Sequence, residues 1–589
     1  MCGIFFINDN AIVNLNPIAH RGPDKNTLIV SSNYQYGFCR LSIREVINGH
    51  QPTVTDEYVS AINGELYNES QIRSFISELN PTIQIPAGDM NVLGLYLYLT
   101  KGKGISAARG MFAGYIHFKK SDKLVFFRDS VGEKPLFQYR RGNQFALASE
   151  NRFSEILSIP TAPITFGTFE LVRGHSLWET EDVRECSPGT LYTLDLRTMC
   201  IEVFTYYAWP SRPRYRSQGT LDELESSIID SIKLQSSSEF PISVMLSGGI
   251  DSSLIAFYAK HIGLDFSTFT LTMNDNQWDE SRIARKFAEE LGIEHSTIQY
   301  SDAEIASLIP KVLNSMDIPI LDVACISLYL LTKEISHTNK VALSGDGGDE
   351  ISRGYEIFNW TFLLNTVRNL IRLPEGFTSN FNFQSDRTKY NSLGMKLNRA
   401  KDVIAVRNFS IAEVALSPFG GTELLGKLAR NETSKHLFVP TEEYYYRYIL
   451  PRVYLAKSDR MSMANSVEVR APFLDTRVIE EAMKLSKYFL YSHERKWILK
   501  ELARRNLPPY LINRRKRGFS LPFGRIIEHL QEPEWQIDPR DLAGVSPASV
   551  WQRARRDQNY SMAAWALMVL NHFAINKKLI FLGGDDGVQ

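Results

Sequence analysis

Apolar residues in the first two hundred positions come in short runs separated by turn signals. Leu124 to Phe127 precedes Asp129 to Gly132, Leu136 to Tyr139 precedes Arg140 to Asn143, and Phe145 to Ala148 follows. This spacing predicts antiparallel strands and hairpins. Trp209 to Gly219, with two prolines and a glycine, reads as a linker between a unit at 1–208 and one at 220–589. Beyond it the period changes. Leu221, Leu224, Ile228 and Ile232 share one helical face within Leu221 to Leu234. Ile242 to Leu246, Ser267 to Met273 and Val341 to Leu343 read as strands, and Asp279 to Leu291 as a charged amphipathic helix. Strands alternating with helices predict a parallel sheet covered on both faces. From about Tyr355 onward the pattern is mostly helical.

A chain of 589 residues is too long for one core, so at least two domains are expected. Lys+Arg and Asp+Glu both number 66. That balance lacks the basic excess of a nucleic-acid binder. Hydrophobic residues at 44% and charged residues at 22% exclude a disordered or fibrous class. Cys2, Cys39, Cys186, Cys200 and Cys325 lie far apart, without zinc spacing, and their odd count argues against a disulfide framework. No apolar run reaches the ~18 residues of a membrane span, and no signal peptide is visible, so a cytoplasmic protein is expected.

Candidate chemistry begins at Cys2. Removal of Met1 would leave a cysteine whose own α-amine, titrating near ~7.7–8, can act as base for its thiol. A second candidate follows the strand at Ile242. Leu246-Ser247-Gly248-Gly249-Ile250-Asp251-Ser252-Ser253 runs into a helix beginning near Leu254. Glycines permit close backbone approach, a helix N-terminus offers free N–H groups to phosphate, and Asp251 supplies a carboxylate for Mg²⁺. The Lys of a Walker loop is absent. A second acidic glycine loop, Ser344-Gly345-Asp346-Gly347-Gly348-Asp349-Glu350, follows the strand at Val341.

The series Cys2-Gly3-Ile4, His20-Arg21-Gly22-Pro23-Asp24, Arg40-Leu41-Ser42-Ile43, Asn63-Gly64-Glu65, Gly88-Asp89 and Arg128-Asp129 resembles the class II glutamine amidotransferase domain. The two glycine loops, Leu455 to Ala464, Glu468 to Asp475, Arg495-Lys496 and Lys516 to Phe519 resemble the ATP-pyrophosphatase-type domain of glutamine-hydrolysing asparagine synthetases. The resemblance implies an α+β N-terminal-nucleophile domain followed by an α/β parallel-sheet domain with a largely helical C-terminal part. It implies Cys2 as nucleophile and Asn63 with Gly64 as oxyanion donors. Arg40, Leu41, Ser42, Ile43, Asn63, Gly64, Glu65 and Asp89 would bind glutamine. Leu246, Ser247, Gly248, Gly249, Asp251, Ser252, Ser253, Leu271, Ser344, Gly345 and Lys496 would bind ATP, with Asp251 and Asp349 on Mg²⁺. Ammonia would pass through the interior to an adenylated carboxylate, that of aspartate or of another acid. A homodimer is an assembly that the family often forms.

Three segments depart from the family pattern: Asp317-Ile318-Pro319, Leu321 to Cys325, and Ser352-Arg353 before Gly354-Tyr355. They are expected near the acceptor pocket, which keeps a specialised carboxylate open as the acceptor. Arg353 reads either as a contact to it or as a surface arginine. A ring-closing synthetase and a glutamine or nucleotide sensor are the competing classes. Cys2 with Arg40, Asn63, Gly64 and Asp89 argues against the first, and Lys496 with the loop carboxylates against the second. The basic run Arg514 to Arg517 also reads, weakly, as a nuclear signal.

Overall fold

A computed structural model describes residues 2–161, 164–166, 179–213, 216–272, 280–355, 445–486, 490, 493–512, 521, 523–538, 546–557, 560–576 and 579–581. Much of the helical region expected after Tyr355, and the basic run at 514–517 with Lys516 to Phe519, lies outside these residues. No helix among the described residues is long and apolar enough to cross a membrane.

The first half is two antiparallel sheets laid face to face. One contains β1 (Gly3–Ile7), β2 (Lys25–Val30), β3 (Gln35–Arg40), β8 (Phe137–Arg141), β9 (Gln144–Ala148) and β11 (Val183–Glu185), in the order β11-β8-β9-β1-β3-β2. The other contains β4 (Thr53–Val54), β5 (Tyr58–Leu66), β6 (Gly110–Phe118), β7 (Lys123–Arg128), β12 (Thr190–Asp195) and β13 (Ile201–Thr205), in the order β13-β12-β7-β6-β5-β4. Side chains alternate across a strand, so β1 sends Ile4 and Phe6 into the space between the sheets and Phe5 and Ile7 to the other face. Both sets are buried. Ile4 and Phe6 meet Tyr115 and Phe126, while Phe5 and Ile7 belong to the core that holds Ile318, Trp551 and Trp565 of the second half. The far face of the second sheet is covered by the helices Glu69–Leu79 and Asp89–Leu99. A short parallel pair joins β10 (Ile164–Phe166) to β19 (Leu579–Phe581).

The second half is built on a parallel sheet of β14 (Ile242–Met245), β15 (Phe266–Thr272), β16 (His295–Gln299), β17 (Val341–Leu343) and β18 (Glu468–Arg470), ordered β16-β15-β14-β17-β18. Ligand loops in such sheets sit beyond the carboxyl ends of the strands. Here those ends, after β14 and β17, lead into the two glycine loops. The helix Leu221–Gln235 opens with a capping box of Thr220 and Glu223, which fixes where the second pattern begins. Residues 206–213 run without regular structure, yet Arg212 is buried, donating to the carbonyls of Ala482 and Ile351.

Candidate functional sites

The first site lies at the start of β1. Cys2 lines a pocket with Arg40, Leu41, Ile43, Arg44, Gly64, Glu65 and Asp89. Its backbone N–H donates to Asn63 Oδ1 at 2.7 Å, and its Sγ lies 3.9 Å from the Leu41 carbonyl. Asn63 is fully buried on β5, and its amide Nδ2 has no partner. A buried N–H left unpaired costs free energy, so a donor held open beside a thiol is available to a developing oxyanion. Next to it Gly64 has φ +139, and a Cβ there would meet the Met111 carbonyl at 2.0 Å, so only glycine fits. Burial pushes the Cys2 thiol up, against the pull of the positive amino terminus. A thiol so placed needs a base to ionise it.

Asp89 opens the helix Asp89–Leu99 and accepts the Leu66 N–H at 2.7 Å. Glu65 lies with it at the end of β5. Burial, then the neighbouring Asp89, holds the Glu65 carboxyl well above the usual range, while Arg470 opposes. Burial also raises Asp89, with Arg44 opposing. Arg40 points into the loop at 45–50, donating to the carbonyls of Val46 at 2.9 Å and Glu45 at 2.7 Å. It organises that loop as well as lining the pocket. Leu41 and Ile43 are buried in the core of the second half, and the Ser42 N–H donates to Asp24.

The second site joins the two glycine loops. Gly248 has φ +74, and Gly249 caps the helix Ile250–His261. Ser252 Oγ accepts the Ser247 N–H at 3.1 Å, curling the loop, and the Ser253 hydroxyl is buried without a partner. Gly345 and Gly348 let the second loop lie against Asp251 and Ser252, since a Cβ on either would come within 2.9 Å of them. Ser344 Oγ accepts the Asp346 N–H. Lys496, just before the helix Trp497–Asn506, pairs with Asp251 and reaches Asp349 Oδ1 at 2.8 Å. Thus residues 98 and more positions apart converge, as Asp251, Asp349 and Lys496. Asp251 Oδ1 is buried and unpartnered. Leu271 is half-buried on β15, the strand paired with β14 in the sheet that carries both loops.

Among the described residues no group of three or more His, Cys, Asp or Glu could hold a metal. Two carboxylates alone suit Mg²⁺ only when phosphate oxygens complete its shell. Asp251 and Asp349 fit that limited part.

A small cavity lined by both halves has room for about one water-sized molecule. Glu133 and Lys134 line it from the first half, and Asp346, Ser458 and Asp459 from the second.

The departing segments are largely buried, and Gly354, which follows Ser352-Arg353, packs against Asp349 and Lys496. Ile318, Leu321, Val323 and Cys325 are core residues. Asp317 pairs with buried Arg460 at 2.9 Å, and Asp322 with Lys457 at 2.7 Å. Arg353 is 2% exposed, so it is no surface arginine. Its φ of +56 ends the short helix Gly348–Ser352.

Pattern reading missed the charges that join the halves. Arg21 is fully buried, donates to the Cys2 carbonyl at 3.2 Å, and pairs with Glu150 at 3.0 Å and with Asp459 at 2.7 Å. Arg470 on β18 reaches Glu65 at 3.4 Å. Arg44 was equally silent in the sequence.

A family model described as asparagine synthase matches residues 223–574, more than half of the chain. The chain belongs to the asparagine synthase family. A glutamine amidotransferase domain model matches residues 1–164. Relatives include asparagine synthetase [glutamine-hydrolyzing] 1 of Bacillus subtilis, 29% identical over 556 residues, covering 88% of this chain and 84% of that protein. A putative asparagine synthetase of Mycobacterium bovis is 24% identical over 562 residues, with the same two coverages of 88% and 84%. Among solved structures, a glutamine phosphoribosylpyrophosphate amidotransferase from B. subtilis is 14% identical, with a TM-score of 0.28, covering 51% of this chain and 81% of that one. The family supplies a ligase that carries a glutamine amidotransferase domain and an ATP-utilising synthetase domain.

Proposed function

We propose that the protein is a glutamine-dependent asparagine synthase: L-aspartate, L-glutamine, ATP and water give L-asparagine, L-glutamate, AMP and diphosphate. Cys2 Sγ attacks the glutamine side-chain amide after its proton passes to the chain's α-amine, which Met1 removal frees. Asn63 Nδ2 and the Gly64 N–H receive the tetrahedral oxyanion. Ammonia leaves and water releases glutamate. Arg40 faces the substrate α-carboxylate, and Glu65 and Asp89 its α-ammonium.

In the second site the N-terminus of the helix Ile250–His261, with Ser247, Ser252 and Ser253, holds phosphate oxygens. Lys496 neutralises the departing diphosphate. Mg²⁺ on Asp251 and Asp349, when bound, would offset charge on the phosphates. The aspartate β-carboxylate attacks the α-phosphorus, and ammonia displaces AMP from the acyl adenylate. The cavity lined from both halves supports an internal ammonia route.

The observation that carries this reading is Asn63, whose oxygen holds the Cys2 backbone while its nitrogen stays open. Cys2→Ala should abolish glutamine-dependent synthesis and leave the ammonium-dependent reaction. Glutamine hydrolysis at the wild-type rate in that variant would overturn the site. The acceptor is tested by diphosphate release from ATP, Mg²⁺ and ammonium with a panel of carboxylates. A signal from another acid but none from aspartate would remove aspartate and keep the mechanism.

A further inference from the structure

The Arg44 guanidinium stands where the proposed glutamine pocket collects its negative charge. Nη1 lies 3.4 Å from Glu65 Oε2 and 3.5 Å from Asp89 Oδ2. Nη2 lies 2.6 Å from Glu69 Oε2, outside the pair, and Glu69 also holds Arg73 at 2.7 Å. Arg44 is itself a wall of the pocket, with a side chain 21% exposed. Glu65 and Asp89 are far more enclosed, at 7% and 10%. The shortest contact is thus the outer one, and the two inner contacts are long for ion pairs.

A pair of enclosed carboxylates stays ionised only beside a cation. Arg470 reaches one Glu65 oxygen, 3.4 Å from Oε1, and leaves Oε2 to Arg44. Asp89 Oδ2 takes both the Leu66 N–H and the Arg44 guanidinium. A substrate ammonium arriving at these two oxygens meets a site already neutralised.

We propose that Arg44 is a displaceable internal cation: it fills the ammonium subsite between Glu65 and Asp89, and withdraws toward Glu69 when the glutamine α-ammonium enters. This rests on the glutaminase reading and adds a residue that sets affinity for the donor. The long arginine side chain can keep Nη2 on Glu69 while Nη1 gives way, so the exchange costs two long, weak pairs and no backbone movement. The exchange also selects ligands: an amide without a cationic α-group cannot replace Arg44.

Two substitutions with opposite expected signs test this in the full-length protein, read as glutamate release against glutamine concentration. Arg44→Gln removes the competitor and should lower KM for glutamine about 3- to 10-fold, with the effect on KM rather than kcat. Glu69→Gln removes the outer anchor, drives Arg44 inward and should raise KM by a similar factor. In the double variant the Glu69 effect should vanish, because its target is gone. A higher KM in Arg44→Gln would make Arg44 a direct substrate contact and overturn the proposal, as would an unmoved KM in either single variant. Wild-type protein that releases no glutamate would overturn the glutaminase reading and this one with it, whereas release with unmoved KM values overturns only the role of Arg44.

Discussion

In the N-terminal pocket two enclosed carboxylates, Glu65 and Asp89, are balanced by arginines from a loop and from the other half of the chain. In the C-terminal cleft two carboxylates, Asp251 and Asp349, are balanced by Lys496. The arrangements look alike, but on the proposed function the ligands differ in sign. The first would receive a substrate ammonium, so a counter-ion there must yield. The second would receive phosphates, which need the lysine, so its counter-ion can stay and change partners. Whether an internal cation is a competitor or a ligand is decided by the charge of what arrives.

The comparison breaks most visibly at Lys496. Lys496→Ala should cut AMP formation by about 10³-fold or more, since a charge aimed at the developing diphosphate is lost, while glutamate release persists. Equal loss of both activities in steady-state assays would show that the two sites are not separable. Next comes Asn63→Ala, expected to lower kcat for glutamine hydrolysis about 10²- to 10³-fold with ammonium-dependent synthesis retained. A drop under threefold would remove Asn63 from oxyanion stabilisation.

Asp459→Ala addresses the seam between the halves. It strands the buried Arg21 guanidinium between Glu150 and an empty place, and should cost about 3–5 kcal/mol in urea unfolding. A loss below about 1 kcal/mol would mean that water replaces Asp459.

The smallest effect is a pH dependence. Burial, then Asp349, pushes the Glu350 carboxyl up to about 8. The unfolded carboxyl ionises near ~4.3. Between those values folding takes up a proton, so this group's contribution falls as pH rises from about 4.5 to about 8 and levels off above. Glu350→Gln should therefore gain stability over wild type across that window, by on the order of 1 kcal/mol per pH unit at most. A difference that stays flat from pH 5 to 8 in thermal melts would show that Glu350 is ionised throughout.

What could be read in advance was local. The short strands of the first half, the switch to alternating strands and helices, and the two glycine loops are written in neighbouring residues, and the strand ends came within a residue or two at Phe145–Ala148, Ile242–Met245 and Val341–Leu343. Arg44 lay beyond reach because its partners Glu65 and Asp89 are 21 and 45 positions away on other elements. Ile318 and Cys325 were singled out by their departure from a family pattern, and that departure says nothing of the core packing they also carry. Their burial against Trp565 is a tertiary fact. Arg353 and Arg212 show the same limit: both are buried, Arg212 on the carbonyls of Ala482 and Ile351, and neither burial is written in its neighbours.

The Arg21–Asp459 contact bears on how the molecule can be taken apart. Expressed as two separate polypeptides, the halves would part Arg21 from Asp459, leaving Glu150 as its acidic partner on a surface built to be dry. The first would also lose the cover over Phe5 and Ile7, and the second the residues against Ile318 and Trp565. A graft of this glutaminase half onto a foreign synthetase needs, besides a fitting linker, an acid at the right turn of the recipient's helix. Without one, the chimera buries the Arg21 guanidinium with one of its two acidic partners missing.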